Sequence, residues 1–178
     1  MRSSACARCD AAASIGAIDD RGTAAVITVV VEDDKVLRFL QVLLDPATDP
    51  ERLAVFADYV AHDMAQSAWF DAARPRLAGV FPAAVRLVAS REELHAALPA
   101  ADALVVESFA VGTAELAVAP RLRFIHQFGT RAEGIDLAAC AQRGVAVKTQ
   151  RRRTNVAVAE HTLALILGLA RRFGTVAN

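Results

Sequence analysis

The chain has 178 residues, 54% of them apolar, with 20 basic and 20 acidic side chains that cancel to zero net charge. That length is enough for one ordinary domain or slightly more with a sizeable buried core, and the balanced charge gives no electrostatic footprint for nucleic acid or an anionic membrane. The longest apolar stretches, GTAAVITVVV at Gly22–Val31 and TLALILGLA at Thr162–Ala170, are too short to span a bilayer.

Residues Met1 to Arg21 are small, mixed and aperiodic, and read as an extension without a regular element. Cys6 and Cys9 have the spacing of half a zinc site, but no second pair and no nearby histidine completes four ligands, so no metal is expected. The odd count of three cysteines and the lack of a secretory signal predict a cytoplasmic protein. Val26–Val31 and Val36–Leu44 are β-rich runs separated by EDDK, and predict a hairpin or two separate strands. A helix then starts at Asp49 as N-cap with Pro50 in the first turn, and Leu53, Phe56, Ala57, Val60 and Met64 recur at helical spacing on a core face.

From there strands and helices alternate. VRLVA is a strand, and SREELHAAL is a helix opened by Ser90 with Glu93 in capping-box position. DALVVES is a strand and VGTAELAVA a helix stopped by Pro120. LRFIHQF is a strand, DLAACAQR a helix closed by Gly144 at C′, and VAVKT a strand. Such alternation predicts an α/β fold, a flavodoxin/Rossmann-like parallel sheet with helices on both faces and binding sites at the carboxyl ends of its strands. The last helix, NVAVAEHTLALILGLARR, is capped by Asn155, closed by Arg171 and Arg172 and stopped by Gly174. Ala159, Leu163, Ile166 and Ala170 line one face, while Val158, Thr162, Leu165 and Leu169 make the opposite side largely apolar too. A helix apolar nearly all round calls for cover nearly all round.

The segment FIHQFGTRAEGIDLAACAQRG reads strand, tight loop, helix. GTRAEG has the gap of a phosphate loop, but Ile135 and Asp136 replace the lysine and hydroxyl residue that triphosphate binding requires. Two readings stand: a structural turn, or backbone amides that converge on a carboxylate. Arg151–Arg153 are either a solvated loop or a means of concentrating an acidic ligand at the cleft mouth. His126 and His161 read as structural, His62 and His95 as helix-surface residues.

The stretch APRLRFI, the glycine loop leading to Gly134-Ile135-Asp136, the GVAV strand and NVAVAEHTLAL together resemble the D-isomer-specific 2-hydroxyacid dehydrogenases. The resemblance is close over Ala101–Arg172 and looser over Val36–Ala100. It implies a substrate-binding domain over residues 36–153 after an extension at 1–35, and an interdomain helix over 154–178 at the start of a cofactor domain. The implied activity is NAD-dependent interconversion of D-2-hydroxy acids and 2-keto acids. In the family, an arginine, a glutamate and a histidine of the cofactor domain act on the substrate; none of these has a counterpart here, so no catalytic residue is assigned and the chain alone is expected to be inactive. The resemblance assigns Gly129, Thr130 and the amide of Arg131 to the substrate carboxylate, Glu107 and Ser108 to the pocket wall, and Val158 and Thr149 to the cofactor. Arg131, Glu133 and Gly134 stand where the family's loop commonly has a glycine, an aspartate and an asparagine. Gly134 tolerates the left-handed geometry of the asparagine it replaces, without the asparagine's side-chain hydrogen bond. The implied partners are a 2-hydroxy or 2-keto acid and a homodimer mate or separately encoded cofactor domain. The rival reading is a non-catalytic flavodoxin-like module that binds a small acid or a protein.

Overall fold

A computed structural model describes residues 26–60, 66–77, 79–150 and 154–171. Cys6, Cys9, His62, Met64, Arg151–Arg153, Arg172 and Gly174 lie outside these residues. Five strands form one parallel sheet: β1 (Ile27–Glu32), β2 (Ala83–Val88), β3 (Ala103–Val106), β4 (Phe124–Gln127) and β5 (Ala146–Thr149), in the order β2-β1-β3-β4-β5. The chain therefore leaves β1 toward one edge, then reverses and steps from β3 to β5 toward the other. That reversal is the order of the flavodoxin type, and it bears out the fold expected from the alternating pattern.

Strand periodicity sorts the core into two halves. On β1, Ile27, Val29 and Val31 face a cluster with Val42 and Leu43 of α1 (Phe39–Leu44) and Phe70 of α3 (Gln66–Ala73). Leu53 and Phe56 of α2 (Pro50–Val60) pack on the edge of the same cluster. Val30 points the other way, with Leu104, Val106 and Ile125, onto α4 (Arg91–Ala97), α5 (Thr113–Ala117) and α6 (Leu137–Gln142) through Leu94, Leu116 and Cys140. Val30, Leu94, Leu104, Val106 and Ile125 are wholly buried, each worth roughly 1.5–3 kcal/mol of transfer free energy.

The helix ends follow the expected chemistry. Ser90 accepts from the Glu93 amide at 3.2 Å, and the Glu93 carboxylate in turn accepts from the Ala89 amide at 2.7 Å. Asp136 accepts from the Ala139 amide at 2.9 Å to start α6. At the other end of α6, Gly144 takes φ +69°. Its amide reaches Ala141 O and the Val145 amide reaches Cys140 O, the paired bonds of a Schellman turn. Asp49 accepts from the Glu51 amide at 2.9 Å just before Pro50, as expected for the start of α2.

Three expectations need correction. Val36–Leu44 is not a strand: the Asp34 carboxylate accepts from the amides of Val36 and Leu37, starting a turn that continues as α1. Leu37, Val42, Leu43 and Leu44 are buried in that helical form; the ambiguity is one that short apolar runs carry by nature. The folded domain also does not begin at Val36, because β1 lies within the stretch read as an extension and is hydrogen-bonded to strands on both sides. The long helix α7 (Thr154–Ala170) starts one residue before the cap expected at Asn155. From Val156 to Ala170 it is exposed except at half-buried Gly168, with Val156, Leu163, Ile166, Leu167 and Leu169 between 56% and 79% accessible.

Candidate functional site

Parallel strands deliver their following loops to one edge of the sheet, and the loops after β3 and β4 face each other there. Between them lies a cleft of about 350 Å³ lined by Glu107, Ser108, Gln127, Gly129, Thr130 and Arg131, with Phe109, Phe128, Glu133 and Gly134 at its margins. This volume is in the range of small-molecule pockets. All five residues assigned to the substrate thus line one cleft. Thr149 and Val158 do not: neither is among the lining residues, and Val158 on α7 is 64% exposed.

The two walls are built differently. The loop after β4 is tied at both ends. Phe128 donates its amide to Val106 O at 2.7 Å and Gln150 donates to Gly129 O at 2.8 Å, while farther along Val111 donates to Gly134 O and Asp136 to Val111 O. Between those ties, the amides of Gly129, Thr130 and Arg131 donate to no protein acceptor among the described residues. The Arg131 side chain pairs with Glu133 at 2.7 Å, with both side chains more than 70% exposed. Such a pair contributes about 0–1 kcal/mol, so its geometry is held weakly. Gly134 does not use the left-handed backbone open to it; a Cβ there would rest 3.6 Å from Ala110 Cα, an ordinary contact.

The loop after β3 is held by a residue that the sequence reading passed over. Glu32, the last residue of β1 and 9% exposed, accepts at Oε2 from the amides of Glu107 at 2.7 Å, Ser108 at 2.8 Å and Phe109 at 3.2 Å. Its Oε1 accepts from the Ser108 hydroxyl. Burial opposes ionisation of Glu32, but the Ser108 hydroxyl and the three amides outweigh it and hold the carboxyl below the usual glutamate range. Gln127 links the walls by donating Nε2 to Glu107 O at 2.6 Å, which leaves its own buried Oε1 without a protein partner.

Beyond the cleft, Glu115 of α5 is buried and accepts from the Gly112 amide at 2.8 Å, from Arg91 at 2.8 Å, and lies 3.2 Å from His95 Nε2. His95 is therefore a member of an ion-pair cluster joining α4 to α5, not a plain surface residue. Burial raises the Glu115 pKa, and the Gly112 amide, its own amide, His95 and Arg91 together bring it below the ordinary value. His126 stacks on Phe124 with ring centroids 6.5 Å apart. Among the described residues no group of three or more metal-ligating side chains comes together, and no helix is long and apolar enough to cross a membrane.

Fold and cleft together define a Rossmann-like α/β domain with its candidate site at the carboxyl edge of a parallel sheet. Residues 61–177 match the family described as D-isomer specific 2-hydroxyacid dehydrogenase, catalytic domain, and the chain belongs to that family. It is 40% identical over 83 residues to a D-3-phosphoglycerate dehydrogenase of Mycobacterium tuberculosis, a stretch that covers 46% of this chain and 16% of that protein. The enzyme of the same name from Archaeoglobus fulgidus is 37% identical over 84 residues, again with 16% of its length covered. The chain thus matches about a sixth of the length of these curated relatives. Among solved structures it resembles NAD-dependent formate dehydrogenase from Staphylococcus aureus in complex with NAD, with a TM-score of 0.49 and 15% identity, over 83% of this chain and 38% of that one. It also resembles NAD+-bound 3-phosphoglycerate dehydrogenase from Entamoeba histolytica, with a TM-score of 0.48 and 15% identity, over 81% of this chain and 39% of that one.

Proposed function

We propose that this chain is the substrate-binding part of an NAD-dependent oxidoreductase that interconverts D-2-hydroxy acids and 2-keto acids in the cytoplasm. The observation that carries the reading is the run of amides at Gly129, Thr130 and Arg131, which have no acceptor among the described residues, beside a small-molecule-sized cleft. Backbone donors fixed at a strand end hold a carboxylate without reorganising, and the same placement leaves the hydroxyl-bearing carbon of a 2-hydroxy acid in the cleft. Glu107 and Ser108 form the opposite wall. The substrate-binding part runs to about residue 153, and α7 acts as the interdomain helix.

The cofactor NAD is held by a glycine-rich unit outside these 178 residues, in the same protein or in a separately encoded partner; a homodimer mate is the other partner proposed. No two of the nine glycines here stand two positions apart, so the G-x-G core of a dinucleotide fingerprint is not formed within them. When bound, NAD accepts or supplies the hydride. This chain's residues bind and orient the acid, Val158 and Thr149 lie toward the cofactor side, and the proton donor comes with the cofactor unit.

An absorbance assay with NADH and a panel of 2-keto acids (glyoxylate, hydroxypyruvate and pyruvate) tests this. The 178-residue chain alone is expected to be silent, and a glycine-fingerprint partner domain is expected to restore turnover. Turnover by the chain alone contradicts the assignment of its roles. Silence with every partner domain, together with saturable acid binding, favours a non-catalytic binding module.

A further inference from the structure

We propose that the loop after β3 is a carboxylate-binding nest which this chain fills with its own Glu32, and that Glu32 is thereby the positioning residue for the cleft wall Glu107–Phe109. In this sheet the order reverses between β1 and β3, so their carboxyl ends border the crevice where doubly wound sheets usually receive ligands. Here that crevice is occupied from within. Three consecutive amides, of Glu107, Ser108 and Phe109, converge on one carboxylate oxygen at 2.7, 2.8 and 3.2 Å, and the Ser108 hydroxyl meets the other. Consecutive main-chain donors converging on one anion are the defining geometry of a nest.

The occupant comes from 75 to 77 residues earlier in the chain, so the contact is not a local turn; it pins a strand-end loop to a strand on its far side. Two consequences follow for the cleft. The ligand opening lies one strand over, between β3 and β4, where the amides of Gly129 to Arg131 have no acceptor among the described residues. The wall at Glu107 is also held at a fixed distance from that loop, because Gln127 Nε2 donates to Glu107 O at 2.6 Å and cannot follow if the wall relaxes. The nest stands on its own contacts; its effect on ligand binding rests on the reading of the cleft given above.

Removing the Glu32 side chain leaves a vacancy bounded by three amides and a hydroxyl, matched in size and chemistry to formate. In the 178-residue chain carrying Glu32→Ala, the amide resonances of Glu107, Ser108 and Phe109 are expected to shift and broaden. The affinity for glyoxylate is expected to fall about tenfold, the equivalent of about 1.4 kcal/mol. Sodium formate is expected to restore the resonances saturably, with sodium chloride at equal ionic strength failing to do so. Glu32→Gln, which keeps the shape but loses the charge, should show the shifts and the weakened binding without formate rescue, and it decides the question if Glu32→Ala does not fold. Unchanged 107–109 resonances in both variants, or a formate effect no larger than that of chloride, would overturn the proposal. If the unaltered chain binds no keto acid, the reading of the cleft fails, while the resonances and formate rescue still decide the nest.

Discussion

The loops after β3 and β4 leave the same edge of the same sheet, carry comparable backbones, and end in opposite states. Residues 107–109 give every amide to one buried carboxylate, whereas residues 129–131 give theirs to no protein group among those described. One difference accounts for this. A glutamate ends β1 beside the first loop, whereas no carboxylate of the described residues accepts from the amides of the second loop, whose Gly129 carbonyl is tied to the Gln150 amide after β5. Consecutive backbone amides are thus a structural staple where the chain supplies the anion and, on the proposed reading, a binding site where it does not. Position at the carboxyl edge alone does not decide which.

The comparison can be tested by stability. Glu32→Ala leaves three donors without their acceptor and should cost about 2–4 kcal/mol in urea unfolding, and Ser108→Ala, which removes only the hydroxyl, about 1–2. A cost for Glu32→Ala within the error of the measurement would mean that the first loop is not stapled.

Acid sharpens the same point. A carboxyl whose folded pKa lies below its unfolded value stabilises the fold fully above the unfolded value and loses that contribution as pH falls through the folded one. Glu32 and Glu115 both belong to this class. Urea midpoints measured from pH 6 down to pH 3 should therefore fall more steeply for the unaltered chain than for Glu32→Gln, with Glu115, Asp33 and Glu92, whose carboxyls are likewise held low, contributing to the decline that remains. Parallel curves would remove Glu32 from the account.

Changes in the open loop should do least to the fold. Thr130→Ala and Arg131→Gln are expected to move stability by less than about 0.5 kcal/mol, since the first touches an exposed side chain and the second only a rim ion pair. A loss above about 1 kcal/mol for either would show that the loop has a structural role as large as that of its neighbour.

The architecture was legible because its signals are local. Ser90 with Glu93 and Gly144 after Arg143 each act within a few residues, and each sits where the sequence placed it. The cleft residues were legible for a related reason: loops following strands of a parallel sheet collect at one edge whatever their composition. What failed was either ambiguous or distant. Val36–Leu44 is apolar enough for strand or helix, and the Asp34 turn decides between them. Glu32 reads as the first residue of the EDDK break between two apolar runs, and nothing nearby in sequence announces partners at Glu107 to Phe109. A carboxylate closing a central strand was the available signal. The Glu115 cluster was half legible, since its capping contact to Gly112 is local while Arg91 and His95 arrive from α4.

The most direct measurement is a ¹⁵N-resolved titration of the unaltered chain with glyoxylate. The account predicts saturable shifts at the amides of Gly129, Thr130 and Arg131, with those of Glu107, Ser108 and Phe109 nearly still because Glu32 already holds them. Equal movement of both sets, or saturable movement of the second set alone, would contradict the division of labour between the two loops.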